Sequence, residues 1–413
     1  MPELLAPAGN MEKLRAAVLY GADAVYLAGK AFGMRAAADN FTLPELREAI
    51  AFAHAHGVRV YLTVNVMPRG DEYADLRAYF EELKDCPPDA LIVADLGVLT
   101  LAKEVLPSVP LHISTQANAV SAATCRAYHA LGASRVVLAR ELTLEEIKAI
   151  RRDTPETLEL EAFIHGSMCI SYSGRCLLSN FFTGRDANRG MCTQSCRWQY
   201  TIREREYEIV EAKRPESPIP VREIDGETFL MSSRDTCMIE HIPELMESGI
   251  DSFKIEGRIK SAYYAAVVTN TYRMAIDAYE KGSYTYNPAW MRELESVSHR
   301  PYYTGYYYDR ATENANTTEN TGYIKENAYL ASVISYDAET GVATMRQKNK
   351  FSVGDSVALL TPGKLGRSFT VTALTNEGGE KVPSVPHPQM LFRMPVPFPV
   401  KEGDILRAEE HAE

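Results

Sequence analysis

The residues best suited to chemistry crowd into one stretch, Glu161 to Cys196, which reads EAFIHGSMCISYSGRCLLSNFFTGRDANRGMCTQSC. Four of the seven cysteines stand in it, Cys169, Cys176, Cys192 and Cys196, separated by six, fifteen and three residues. No apolar period of 3.6 or 2 runs through the cysteine-bearing part, so it reads as a loop wrapped around a metal centre. Core thiols are small buried hydrophobes and need no such clustering. Zinc favours two close cysteine pairs, and only Cys192 and Cys196 make one. Iron–sulfur clusters also take four thiolates but tolerate less regular spacing. A fifth candidate, Cys237 in MSSRDTCMIEHIPEL, is expected to open a helix whose N-terminal end favours a thiolate. Cys169, Cys176 and Cys192 belong to every preferred ligand set, with Cys237 or Cys196 as the fourth. Cys86 and Cys125 lie apart. A nucleophilic reading of His165, Ser167 and Cys169 lacks an orienting carboxylate, and neither HExxH nor GxSxG occurs.

These residues need a frame. Eight apolar runs alternate with helical stretches: Leu4–Pro7, Ala24–Ala28, Val58–Val64, Ala90–Ala94, Leu111–Ser114, Arg135–Ala139, Leu158–Ile164 and Ser252–Ile255. Helices are expected over Leu43–His56, Thr143–Arg152 and Met238–Ser248, and glycines at 21, 57, 132 and 249 mark the helix-to-strand turns. The expected fold is α/β, a (β/α)8 TIM-like barrel with a cysteine-rich insertion after strand 7. A doubly wound sheet is disfavoured because GNMEKL, not a glycine-rich fingerprint, follows the first run. Barrel chemistry sits at the C-terminal strand ends, where Asn65, Asp95, Thr115, Gln116, Arg140, Glu141, His165, Glu256 and Arg258 fall.

The expected domains are a barrel over 1–295 with its insertion at 166–228, a linker over 296–321, and a small all-β barrel over 322–413. Within the insertion, Arg203–Glu227 reads as a polar hairpin, and Ala262–Tyr279 as an amphipathic helix. The last segment carries Arg346, Lys348, Lys350, Lys364 and Arg367, a solvated face that could contact RNA backbone. Net charge is −11, so any nucleic acid must be held by a local basic surface. Neither a signal peptide nor an apolar run long enough to span a bilayer is read, which predicts a cytoplasmic protein without a membrane partner.

EAFIHGSMCISYSGRCLLS, with ELLAPAG, SRDTCMIEHIPEL and DSFKIEGRIKS, resembles the hallmark segments of the collagenase-like peptidase family U32. The likeness covers nearly the whole chain. It implies a tRNA-modifying enzyme that hydroxylates the wobble uridine to 5-hydroxyuridine with prephenate as co-substrate. It further implies a [4Fe–4S] cluster on Cys169, Cys176, Cys192 and Cys237, with Cys196 the alternative to Cys237. A homo-oligomer or companion protein is compatible with it. His165, Glu256 and Arg258 are the candidates for catalytic roles, and Arg140 and Arg258 for gripping the dicarboxylate. The rival expectations are a collagenase-like peptidase and a zinc-stabilised RNA-binding protein.

Overall fold

A computed structural model describes residues 1–34, 38–198, 207–209, 219–221, 232–308, 316–317 and 327–409. Eight parallel strands close into a barrel. Strands β1 to β7 are Glu3–Pro7, Ala24–Ala28, Arg59–Val64, Ala90–Val93, Leu111–Ile113, Arg135–Val137 and Glu159–Ser167. The closing strand, Ser252–Ile255, pairs with both β1 and β7. Ala24–Ala28 and Ala90–Val93 are apolar throughout, and they and Glu3–Pro7 are buried along their length, as parallel strands covered on both faces must be. Helices such as Leu43–Ala55 and Leu144–Arg152 start at capping boxes, Thr42 with Glu45 and Thr143 with Glu146. There the hydroxyl and the carboxylate each satisfy a backbone N–H that the helix leaves open.

One irregularity matters for the site. Lys254 pairs with Phe163, but Ile255 pairs with His165, so Ile164 is an extra residue in β7. Such a bulge turns every following side chain to the opposite face. Gly166 then takes φ +106, and a Cβ there would sit 2.6 Å from the Glu256 carbonyl oxygen. Only glycine suits both constraints.

The structure departs from the sequence-based expectations in several places. Cys237 does not open a helix. It ends a short strand, Asp235–Cys237, that runs antiparallel to β7 and sets Cys237 opposite His165. The helical stretch after it is reduced to a 3-10 turn, Ile239–His241, and Ile242–Met246. Part of the supposed linker is a strand, Tyr302–Tyr303, paired with Asp235–Cys237. The polar hairpin is represented by Tyr207–Ile209 paired antiparallel with Ile219–Val221; the rest of Arg203–Glu227 lies outside the described residues.

Two compact units divide the chain, and the division does not follow chain order. One comprises 1–14, 23–259 and 299–324; the other comprises 15–22, 260–298 and 325–413. The expected boundary at 295 therefore cuts differently, because the helix Ala262–Glu280 belongs with the C-terminal residues. That helix is buried along most of its first three turns and is not simply amphipathic. In its unit, Arg407 donates to both carboxylate oxygens of Glu293 at 2.7 and 3.0 Å and to Tyr263 Oη at 3.0 Å. The same unit holds a seven-stranded antiparallel sheet with a core that includes Leu330, Met345, Leu359 and Phe392. No helix among the described residues is long and apolar enough to cross a membrane.

Candidate functional site

The N-terminal half of the barrel interior is filled with charge, all of it matched. Arg135 donates to Glu3 at 2.7 Å, to Glu161 at 3.0 Å and through Nε to Glu159 at 2.8 Å. Tyr61 and Ser252 donate to Glu3 at 2.7 and 3.1 Å. Lys254 donates to the other oxygen of Glu161 at 2.6 Å. Burial pushes the Glu161 carboxyl up, but Lys254 and Arg135 outweigh burial and hold it below the usual carboxylate range. Beside this network His112 packs edge-on against Tyr61, with centroids 4.8 Å apart. Burial first, then the charges of Arg135, Lys254 and Arg59, push its pKa well below 6.5.

Above this floor, at the C-terminal strand ends, lies a cleft of about 520 Å³ open at its outer end. Its walls include Tyr26 and Phe163, and its polar lining includes Asn65, Thr115, Gln116, Arg140, Lys254, Glu256 and Arg258. Among the described residues three cations thus line it against one carboxylate, Glu256. The aromatic walls support these cations from the side. The Arg140 guanidinium sits 3.8 Å from the Phe163 ring centroid, and Lys254 Nζ sits 4.4 Å from that of Tyr26. Cation–π contact adds to the support that Glu256 and Glu161 give these two charges. Arg140 donates to the Ser167 carbonyl at 2.6 Å and to Glu256 at 3.3 Å. Its buried Nε has no partner among the described residues. Arg258 donates to the Met34 carbonyl and is itself nearly fully buried.

The insertion forms the cover of this mouth. Asn118 donates to the Ser173 carbonyl at 3.1 Å and accepts from Arg175 at 2.7 Å. Arg189 grips both oxygens of Glu72 at 2.8 and 2.7 Å and donates to the Met67 carbonyl at 3.0 Å. That contact lowers the Glu72 pKa to about 2. Ser173 and Cys169 reach the cleft itself. Gln116 aims its buried, unpartnered amide oxygen at Gly174, where a Cβ would lie 1.9 Å away.

Of the residues singled out from sequence, the cleft gathers Asn65, Thr115, Gln116, Arg140, Cys169, Glu256 and Arg258. Asp95 serves instead as a helix cap, accepting from the N–H groups of Gly97 and Val98 at 2.8 and 3.1 Å. Glu141 and His165 do not line the cleft. The bulge at Ile164 directs His165 to the far face of β7, where it packs 5.3 Å from the Tyr302 ring. Lys254 escaped the sequence reading, although SFKIEGR carried the signal. Lys254, Glu256 and Arg258 alternate at period two at the end of one strand.

All five candidate cysteines lie in this unit, yet no three ligand-type side chains among the described residues are close enough to hold a metal ion. Their donor chemistry nevertheless fits a thiolate-bound group. Cys176 Sγ accepts from Leu178 N at 3.4 Å, and Cys192 Sγ accepts from Gln194 N at 3.4 Å and Ser179 Oγ at 3.7 Å. Such N–H and O–H donors stabilise sulfur carrying negative charge. Cys169 is exposed, and Cys237 is buried.

Fold and site together define a (β/α)8-barrel protein whose mouth is lined by Arg140, Lys254, Glu256 and Arg258 beneath a cysteine-bearing cover. The chain belongs to peptidase family U32: the family model matches residues 9–317, and that of the U32 C-terminal domain matches residues 325–407. It is 36% identical over 410 residues to tRNA hydroxylation protein P1 of Bacillus subtilis (strain 168), covering 98% of this chain and 94% of that protein. It is 36% identical to tRNA hydroxylation protein P of Escherichia coli (strain K12), covering 96% and 94%. Identity to the 23S rRNA 5-hydroxycytidine C2501 synthase of the same bacterium is 38%, covering 67% of this chain and 39% of that protein.

Proposed function

We propose that this chain hydroxylates a pyrimidine of RNA, and specifically a tRNA wobble uridine to 5-hydroxyuridine with prephenate as co-substrate. The observation that carries the reading is the cleft, in which Arg140, Lys254 and Arg258 converge over a neutralised floor. A dicarboxylate would complement a lining in which three cations stand against one carboxylate, Glu256. The near full-length likeness to tRNA hydroxylation proteins supports RNA as the partner.

In this reading Arg140 and Arg258 hold the carboxylates of the donor through charge-assisted hydrogen bonds. Tyr26 and Phe163 form apolar walls for its ring. Lys254 adds charge from below while Glu161 keeps its proton in place. The target base must leave its stack to enter the cleft. Cys169, Cys176 and Cys192, with Cys237 or Cys196, would hold a [4Fe–4S] cluster, which supplies one-electron chemistry when bound.

The test is iron and sulfide analysis of anaerobically purified protein, paired with nucleoside mass spectrometry of tRNA from a deletion strain. Close to four irons per chain, and loss of 5-hydroxyuridine restored by the wild-type gene, are expected. Cys176→Ala should lose iron and fail to restore the nucleoside. Zinc or no metal in the anaerobic protein would remove the cluster from the proposal, and unchanged tRNA would remove the reaction.

A further inference from the structure

The cover of the mouth carries a feature that neither the cleft nor the cysteines explain. Phe181 is 80% exposed, Phe182 46% and Trp198 38%. These rings form one cluster: Phe181 and Phe182 lie 5.1 Å apart edge-to-face, and Phe182 and Trp198 5.9 Å apart. Leu177 extends the patch at 76% exposed. Soluble proteins bury such side chains unless the surface has a partner. The indole of Trp198 is fixed by its own hydrogen bond to the Thr193 carbonyl at 3.2 Å, so its ring is held in place while one side meets solvent.

The charge around the rings is the reverse of the whole chain. Residues 166–198 contain four arginines, Arg175, Arg185, Arg189 and Arg197, against one acidic residue, Asp186, in a protein of net charge −11. Asp186 is already engaged by Arg69 at 3.4 Å and Asn180 at 2.7 Å. Arg175 and Arg185 are exposed. Exposed aromatic rings interleaved with arginines are what single-stranded nucleic acid needs: faces for unpaired bases to stack on and cations for the phosphates between them. A protein partner of the same apolar patch would need carboxylates to match the local excess of positive charge.

We infer that this aromatic and arginine surface of the insertion is the docking site for a single-stranded RNA loop. Loop bases flanking the target stack on Phe181, Phe182 and Trp198, while Arg175 and Arg185 take the adjoining phosphates. The patch belongs to the same insertion that reaches the cleft through Cys169 and Ser173. The inference rests on RNA being the substrate, and it assigns recognition to the cover rather than to the basic residues of the C-terminal sheet.

The test uses the full-length protein, loaded with its metal, and a fluorescently labelled anticodon stem-loop. Its dissociation constant is measured over a range of salt concentrations for the unsubstituted chain, Phe181→Ala/Trp198→Ala, Arg185→Ala, and Arg346→Ala/Lys350→Ala of the C-terminal segment. Loss of two stacking rings should weaken binding about tenfold or more. Arg185→Ala should make the log–log salt dependence shallower by about one unit. The C-terminal variant should bind as the unsubstituted chain does. A duplex of the same stem without the loop should bind weakly to all four.

Aromatic variants that keep their iron and bind the loop as tightly as the unsubstituted chain would overturn the inference while leaving the reaction intact. Unchanged RNA affinity together with loss of self-association in the ultracentrifuge would assign the patch to a second copy of this chain. No loop binding by the unsubstituted protein would remove both this surface and the RNA reading beneath it.

Discussion

The two halves of the barrel interior use the same residue types to opposite ends. At the N-terminal strand ends Arg135 meets Glu3, Glu159 and Glu161, and each of these carboxylates has a cationic partner. At the C-terminal ends Arg140, Lys254 and Arg258 face the cleft with Glu256, and the unpartnered Arg140 Nε and Gln116 Oε1 lie nearby. A buried network is tolerable only when it is complete. In the upper layer one donor, Arg140 Nε, and one acceptor, Gln116 Oε1, are left over among the described residues, which sets it apart from the matched layer below. Lys254 joins the layers, being tied downwards to Glu161 while lining the cleft.

The sharpest way to break the comparison is to remove one arginine from each layer. Arg135→Met leaves Glu3 and Glu161 buried with too little positive charge, which should cost about 3–5 kcal/mol of stability. A large drop in denaturation midpoint, measured by circular dichroism, is the expected result. Pairing that change with Glu3→Gln and Glu161→Gln should recover part of the loss, since the penalty lies in the stranded carboxylates. A midpoint that barely moves in Arg135→Met would mean that the lower layer is not a closed network.

Arg258→Ala is the matching change above. It should weaken prephenate binding about 10- to 100-fold, the worth of a charge-assisted hydrogen bond, as read by calorimetry. Iron content and cooperative unfolding should survive, because this layer serves a ligand more than the fold. Unchanged donor affinity would remove Arg258 from the binding site.

How much of this was legible beforehand depended on whether the signal was local. The eight strands could be read because parallel strands covered on both sides are short apolar runs, and because glycines 21, 57, 132 and 249 do adopt positive φ at the helix ends. Polar strand ends were legible as a set. The sequence could not separate Asp95, which caps a helix, from Asn65, which lines the cleft, because a cap and a site residue occupy the same position in a β–loop–α unit. His165 was misdirected by a single extra residue, Ile164, whose presence is fixed only by pairing with the closing strand. The helix Ala262–Glu280 looked amphipathic by composition, whereas its burial depends on residues more than sixty positions later, such as Lys364, whose carbonyl accepts from Asn270. Lys254 was within reach: its alternation with Glu256 and Arg258 needed only to be extended one step back down the strand.

His112 sharpens the comparison through proton uptake. It sits in the matched layer, yet it is neutral and surrounded by cations, with burial the largest reason that it resists protonation. In the unfolded chain a histidine takes up its proton near pH 6.5. The folded protein does not follow until the pH is far lower. Between those two points the unfolded state binds one more proton, so stability is full above about pH 6.5 and declines below it, by up to about 1.4 kcal/mol per pH unit. His112→Gln removes the titration while keeping a polar side chain against Tyr61. Unfolding free energies measured at intervals from pH 7.5 to 5 should therefore fall less steeply in the variant than in the parent. Parallel curves would mean that His112 takes up its proton at the same pH in the folded and unfolded chains, so that neither burial nor the neighbouring cations act on it.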